Sequence, residues 1–215
     1  MDRLTFIVLQ FGSLAFSIVC HEAAHGWMAR RCGDPTAERA GRITLNPLAH
    51  VDLVGSIILP VLLVVMHSPV LFGWAKPVPF NPRYFRNVRQ GVMLVGAAGP
   101  LANFALALLA AAVARLMLLL PGAASLPEPL VVLPVLLCLT NLMLGLFNLI
   151  PIPPLDGSRI VLGLLPPTLA QSYLSVERFG FLIVFGLLWL GALDRVIQPL
   201  LTVTARLLLP PGLGL

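Results

Sequence analysis

Two histidines four residues apart, His21 and His25, with Glu22 beside the first, form the pattern in this chain with the plainest chemical potential. On a helix, residues at i and i+4 share a face one turn apart, so both imidazoles can reach one metal ion while the Glu22 carboxylate stands beside it. That is the arrangement of a zinc hydrolase. With four histidines in 215 residues, His-Glu-x-x-His arises by accident on the order of once per thousand such chains. The alternative, a pair of helix-end histidines facing lipid headgroups, leaves the charged Glu22 inside an apolar stretch without a purpose.

Catalytic zinc takes three protein ligands and a water, so the two histidines require a further donor. Asp156 is the leading candidate. It follows the run Asn148 to Leu155, where Pro151, Pro153 and Pro154 preclude a regular helix. An unpaired carboxylate at the end of a membrane segment is expensive, and broken backbone at membrane depth is tolerated where it is buried in protein or lines a water-filled cavity. His50, His67, Asp52 and Asp194 are the other candidates. His50 and Asp52 suit a solvated turn, His67 beside Pro69 an interfacial position, and Asp194 next to Arg195 a helix-end ion pair.

The elements that must position these groups lie in a membrane. Hydrophobic residues make up 58% of the chain and charged residues 11%, with a mean hydropathy of +0.95, which excludes an ordinary soluble domain. The length suits a single membrane-embedded domain over residues 1–215. The net charge of +5 comes from arginines flanking apolar segments, which report topology rather than nucleic-acid binding. Three cysteines without framework spacing indicate packing residues.

The first segment, Leu4 to Ala29, holds the His-Glu-x-x-His motif and stops against Arg30-Arg31; without a small-residue cleavage site before the motif it is expected to be a retained helix. A polar stretch from Cys32 to Asp52 follows, with Gly41 to Leu45 expected as one strand of a small β-hairpin. Leu53 to Phe72 is apolar but interrupted by Gly55 and Pro60. Gly91 to Leu120 and Leu130 to Ile150 are spans, Arg159 to Leu165 a short amphipathic helix, and Phe179 to Leu193 the core of a last span. Bringing Asp156 to His21 and His25 requires the ends of the first and the Leu130 to Ile150 segments to face the same side, so Leu53 to Phe72 is expected to be re-entrant or shallow. The same choice gathers eight of the fourteen basic residues, Arg30, Arg31, Arg39, Arg42, Lys76, Arg83, Arg86 and Arg89, on one side. The expected fold class is an all-α polytopic bundle with that hairpin and that re-entrant segment.

His21-Glu22-Ala23-Ala24-His25, Gly99-Pro100-Leu101-Ala102-Asn103 and Asn148 through Asp156-Gly157 together resemble the site-2 protease family of intramembrane zinc metalloproteases, in its short prokaryotic form without a PDZ or CBS domain. The resemblance implies one catalytic Zn2+ held by His21, His25 and Asp156, with Glu22 as acid/base. It associates Asn148 with substrate handling or site structure. It further implies regulated proteolysis of transmembrane protein substrates in the lipid bilayer of the cell (inner) membrane, with the active site toward the cytoplasm, and a hairpin near Gly41 to Leu45 holding a substrate strand. Asn103 is expected to support the site from behind its ligands, whereas Asn141 suits interhelical hydrogen bonding. Two other classes compete: a membrane zinc-binding or transport protein without proteolytic activity, and a catalytically silent scaffold.

Overall fold

The computed structural model describes residues 1–66, 73–119, 121–122 and 125–210. Helix α1 (Arg3–Arg31) starts where Asp2 accepts the Thr5 amide and ends at Cys32, followed by Gly33 at φ 109°. Its buried positions include Ser13, Ser17, His21, His25 and Ala29, spaced every four residues, so one narrow stripe faces inward. Against that stripe lie α4 (Val88–Leu119) and α5 (Glu128–Asn148). Small residues make the approach possible: Gly96, Gly99, Ala107, Ala110, Ala111 and Ala114 are buried on α4, and a Cβ on Gly145 of α5 would stand 2.9 Å from the Phe104 ring. These three helices are long and apolar enough to cross a membrane.

Between α1 and α4 the chain leaves and re-enters the bundle at the same end. Ala29, Phe85 and Val95 form one buried cluster there, and the Arg86 amide donates to the Cys32 carbonyl. The intervening residues form the short α2 (Thr36–Arg39), a 3-10 turn at Pro47–His50, a π-helical turn at Leu53–Ile58 and α3 (Leu59–Val65). The helical stretch from Leu53 thus stops before Phe72, and residues 67–72 lie outside the described ones. An extended run, 73–80, then crosses back toward α1. Asp34, fully buried, anchors its far end by accepting the Asn81 amide.

After α5 the broken segment 149–155, with a cis peptide between Pro153 and Pro154, leads to α6 (Asp156–Leu164). Gly157 is required there, since a Cβ would fall 2.2 Å from the Leu149 carbonyl oxygen. Helices α7 (Pro167–Leu174), α8 (Glu177–Trp189) and α9 (Ala192–Leu208) complete the chain. Leu201, Ala205 and Leu209 pack with Ala107 to Ala114, Cys138 and Leu142 in the largest buried cluster, which holds α9 along α4 and α5.

Three sequence expectations are corrected. No strand forms among the described residues, so the hairpin at Gly41 to Leu45 is absent. Gly41 is a turn at φ 65°, and the side chains beyond it bond locally: His50 Nε2 to the Thr44 carbonyl, and Thr44 Oγ1 and Asn46 Oδ1 to nearby amides. Such side chain to backbone bonds compete with a ladder, and an isolated two-stranded hairpin is marginal in any case. The last segment, expected through Leu193, ends at Trp189, because Gly191 at φ 63° separates α8 from α9. At thirteen residues α8 reaches spanning length only together with α7, from which it bends by 59°. The short amphipathic helix begins three residues earlier than expected and includes Asp156.

Candidate active site

His21 and His25 project from α1 toward α4, and α6 delivers Asp156 to the same point. The Nε2 atoms of the two histidines are 3.0 Å apart, and Asp156 Oδ2 lies 3.0 Å from His21 Nε2 and 3.1 Å from His25 Nε2. The remaining ring nitrogens are occupied. His25 Nδ1 donates to the Val95 carbonyl at 2.7 Å and His21 Nδ1 to Asn103 Oδ1 at 2.6 Å. A carbonyl oxygen only accepts, so Nδ1 carries the proton and Nε2 presents a lone pair.

Three electron-rich atoms therefore converge, an arrangement that a cation resolves. Ligands at ~2.0–2.1 Å around a tetrahedral zinc stand about 3.3 Å apart, so the triangle needs to widen by only a few tenths of an ångström. The donor set of two imidazoles and a carboxylate suits zinc. The Asp156 carboxylate turns Oδ2 to the two imidazoles. Its second oxygen, Oδ1, accepts from Arg159 Nη1 at 3.0 Å.

Glu22 occupies a different position. Its carboxylate comes within 4.8 Å of the imidazole nitrogens, and the Val78 amide of the extended run donates to its Oε2 at 2.9 Å. Asp156 is at ligand distance and Glu22 stands off. Both open on a cavity of about 620 Å³ whose walls include the extended run, Asn148 and Phe181.

Gly99 explains how α4 fits against the two histidines. A Cβ there would lie 2.5 Å from both His21 Cε1 and His25 Nε2, inside the triangle's own space. Pro100, next in line, has no N–H for the Gly96 carbonyl, which loosens the helix at the turn where Val95 accepts from His25. Gly99→Ala is expected to lower zinc affinity by about 100-fold, as for loss of a supporting partner, with helical content unchanged by circular dichroism. Wild-type zinc binding in that variant would show that the histidines have more room than the structure gives them.

The structure thus brings together His21, Glu22, His25, Asp156 and Asn103, and places Asn148 on the cavity wall. Asn148 Nδ2 donates to the Leu144 carbonyl of its own helix. Of the other candidate ligands, His50 is buried against Thr44, and Asp52 caps the Leu53–Ile58 turn by accepting the Val54 and Gly55 amides. Asp194 is exposed in the first turn of α9, with no ion pair to Arg195 among the described residues. His67 lies outside the described residues. Sequence reasoning overlooked Val78 and Arg159, and the four-residue spacing of Ser13, Ser17, His21 and His25 was a signal available for Ser17.

Residues 124–191 match a family model described as Peptidase family M50. Over 213 residues the chain is 38% identical to a protein of Bacillus subtilis (strain 168), spanning 94% of this chain and 91% of the relative, whose name gives it provisionally as zinc metalloprotease YwhC. Two proteins named, equally provisionally, zinc metalloprotease Rip2 are each 34% identical over 190 residues. The one from Mycolicibacterium smegmatis aligns with 88% of this chain and 70% of itself, and the one from Mycobacterium tuberculosis (strain H37Rv) with 85% and 67%. No solved structure gives a significant match.

Proposed function

Because the chain belongs to peptidase family M50, the site-2 protease family, and is a zinc metallopeptidase with membrane helices, we propose that it is a single-domain intramembrane protease that hydrolyses peptide bonds in or near the transmembrane segments of other membrane proteins. The observation that carries this is the convergence of His21 and His25, in the C-terminal half of a membrane-length helix, with Asp156, 131 residues beyond His25 at the start of α6. These three residues would hold the zinc ion. When bound, it supplies a hydroxide nucleophile near neutral pH and polarises the substrate carbonyl.

The chain's own groups do the rest. Val78 N–H fixes one oxygen of Glu22, leaving the other to accept the proton of the attacking water and pass it to the departing amide nitrogen. Asn103 orients His21 and the Val95 carbonyl orients His25. Asn148, on the cavity wall, is placed to hold substrate backbone. Arg159 neutralises the far side of Asp156 and spreads its guanidinium 5.1 Å from the Phe80 ring, tying α6 to the extended run.

The extended run takes the part expected of the hairpin. The amides of Trp74, Lys76 and Val78 donate inward, to Gly55, His50 and Glu22. Strand alternation turns the Ala75 N–H and carbonyl the other way, and Ala75 lines the cavity together with Pro77, which has no N–H to donate. A locally unwound transmembrane substrate can pair with this edge, which presents its scissile bond beside Glu22. The exit of α1 and entry of α4 at one end of the bundle support a re-entrant Leu53–Val65 segment, and the arginine-rich connection supports an active site toward the cytoplasm. Metal transport would need successive donor sites across the bilayer, whereas among the described residues one cluster, His21, Glu22 and His25, could hold a metal ion.

The decisive experiment incubates the purified, zinc-loaded protein in detergent with a panel of single-span membrane peptides and with soluble peptides of equal length. Cleavage is expected within the apolar segment of the former, weakened when backbone amides near the cut are N-methylated. Cleavage restricted to soluble peptides would refute the intramembrane assignment.

A further inference from the structure

The amides behind His21 form a hydrogen-bond chain with one direction, and we propose that Asn141, supported by Ser17, is a positioning residue that makes His21 a metal ligand by holding Asn103 in a single orientation. This inference rests on the zinc site described above. Asn103 and Asn141 are wholly buried, on α4 and α5, with 0% of either exposed. The two ends of an Asn amide have almost the same shape, so its partners decide which end faces which neighbour.

The direction begins at backbone. Asn141 Nδ2 lies 2.9 Å from the Leu137 carbonyl, which only accepts, and 2.8 Å from Ser17 Oγ. The Ser17 hydroxyl has given its own proton to the Ser13 carbonyl at 2.7 Å and receives from Asn141. That end of Asn141 is therefore the NH2 group, and its Oδ1 turns to accept from Asn103 Nδ2 at 2.8 Å. Asn103 Nδ2 also points at the Ser17 carbonyl, 3.4 Å away. What remains of Asn103 for His21 is Oδ1, an acceptor, and it keeps the His21 proton on Nδ1.

His25 provides the contrast within the same site. Its Nδ1 meets the Val95 carbonyl directly, so backbone alone fixes its tautomer. His21 faces an amide that can rotate. Were Asn103 reversed, its NH2 would face His21 Nδ1, the ring proton would move to Nε2, and that nitrogen could no longer bind a metal. Asn141 touches neither metal nor substrate and acts through Asn103 alone. Its position in the middle of α5 suggested only helix association, a role that the direction of these bonds extends.

Zinc affinity of the full chain in detergent, measured by competition with a chelator, tests this. Asn141→Ala removes Oδ1 and is a substitution that packed membrane helices tolerate. It is expected to weaken zinc binding about 10-fold, the lower part of the range for supporting partners, and to alter the visible spectrum of the Co2+-loaded protein. Asn141→Asp keeps an oxygen toward Asn103 but gives up the N–H groups that anchor it on Leu137 and Ser17, and is expected to weaken zinc binding as well, by a smaller factor than alanine. Should the alanine variant not fold, Ser17→Ala, which removes one of the anchoring acceptors, is expected to weaken zinc binding in the same direction by a smaller factor. Wild-type zinc affinity and Co2+ spectrum in the folded alanine variant, with only its melting temperature lowered, would overturn the proposal. Failure of the wild-type chain to bind one zinc would instead sink the metal site on which it rests.

Discussion

Replacing Glu22 by glutamine is expected to leave zinc bound and to remove about three orders of magnitude of peptide hydrolysis, within the range for loss of a general acid or base. The two parts of this outcome have separate causes. Zinc is retained because Glu22 stands off the triangle of His21, His25 and Asp156 and takes the Val78 amide instead. Glutamine keeps a carbonyl oxygen for that amide, so the extended run and the cavity wall stay in place. Hydrolysis is lost because an amide oxygen at neutral pH neither takes a proton from the attacking water nor returns one to the leaving nitrogen. Metal analysis and cleavage of a single-span peptide, run on the same preparations, separate the two. A glutamine variant that cleaves at the wild-type rate would remove Glu22 from the chemistry, and one that loses its metal would make it a ligand.

Asp156→Ala is expected to act at the other step, lowering zinc affinity by at least about 100-fold, the upper end of the loss caused by removing only a supporting partner. Asp156 is 5% exposed and has three partners: both imidazoles through Oδ2 and Arg159 through Oδ1. Its removal takes away a ligand and also leaves the Arg159 guanidinium facing a site meant for a cation, a like-charge arrangement in a poorly solvated place. Asp156→Asn, which keeps the shape and loses the charge, is expected to fall between wild type and alanine. The check is zinc content after dialysis against a weak chelator, with cleavage restored in part by excess zinc. Undiminished zinc in the alanine variant would mean that another donor completes the site.

The chemistry was legible because it is local. The spacing of His21 and His25 places two donors on one helix face whatever surrounds them, and apolar runs long enough to cross a bilayer mark α1, α4 and α5. Asp156 could be inferred as well, since a carboxylate after three prolines at the end of a span has few tolerable fates other than a partnered one.

The misreadings share a physical origin. The Gly41 to Leu45 stretch has the composition of a strand, but pairing needs an edge to receive it, and no strand forms among the described residues. Where α8 ends depends on a left-handed turn at Gly191, which apolar composition alone does not reveal. In the sequence Asn141 is an ordinary interhelical contact, because the direction of a hydrogen bond depends on partners that only the folded chain brings together.

By itself, then, the amino-acid sequence determined a helix with two histidines on one face, apolar runs long enough to cross a membrane and a carboxylate after a proline-broken segment. Only the tertiary structure decided that Glu22 stands back while Asp156 comes to 3.0 Å, that Gly99 leaves the two imidazoles their space, and that His21 and His25 are oriented by different means. Ligand identity follows from side-chain chemistry, whereas distance, tautomer and orientation follow from how closely α1, α4, α5 and α6 approach, and that is set by small residues and buried amides contributed from separate parts of the chain.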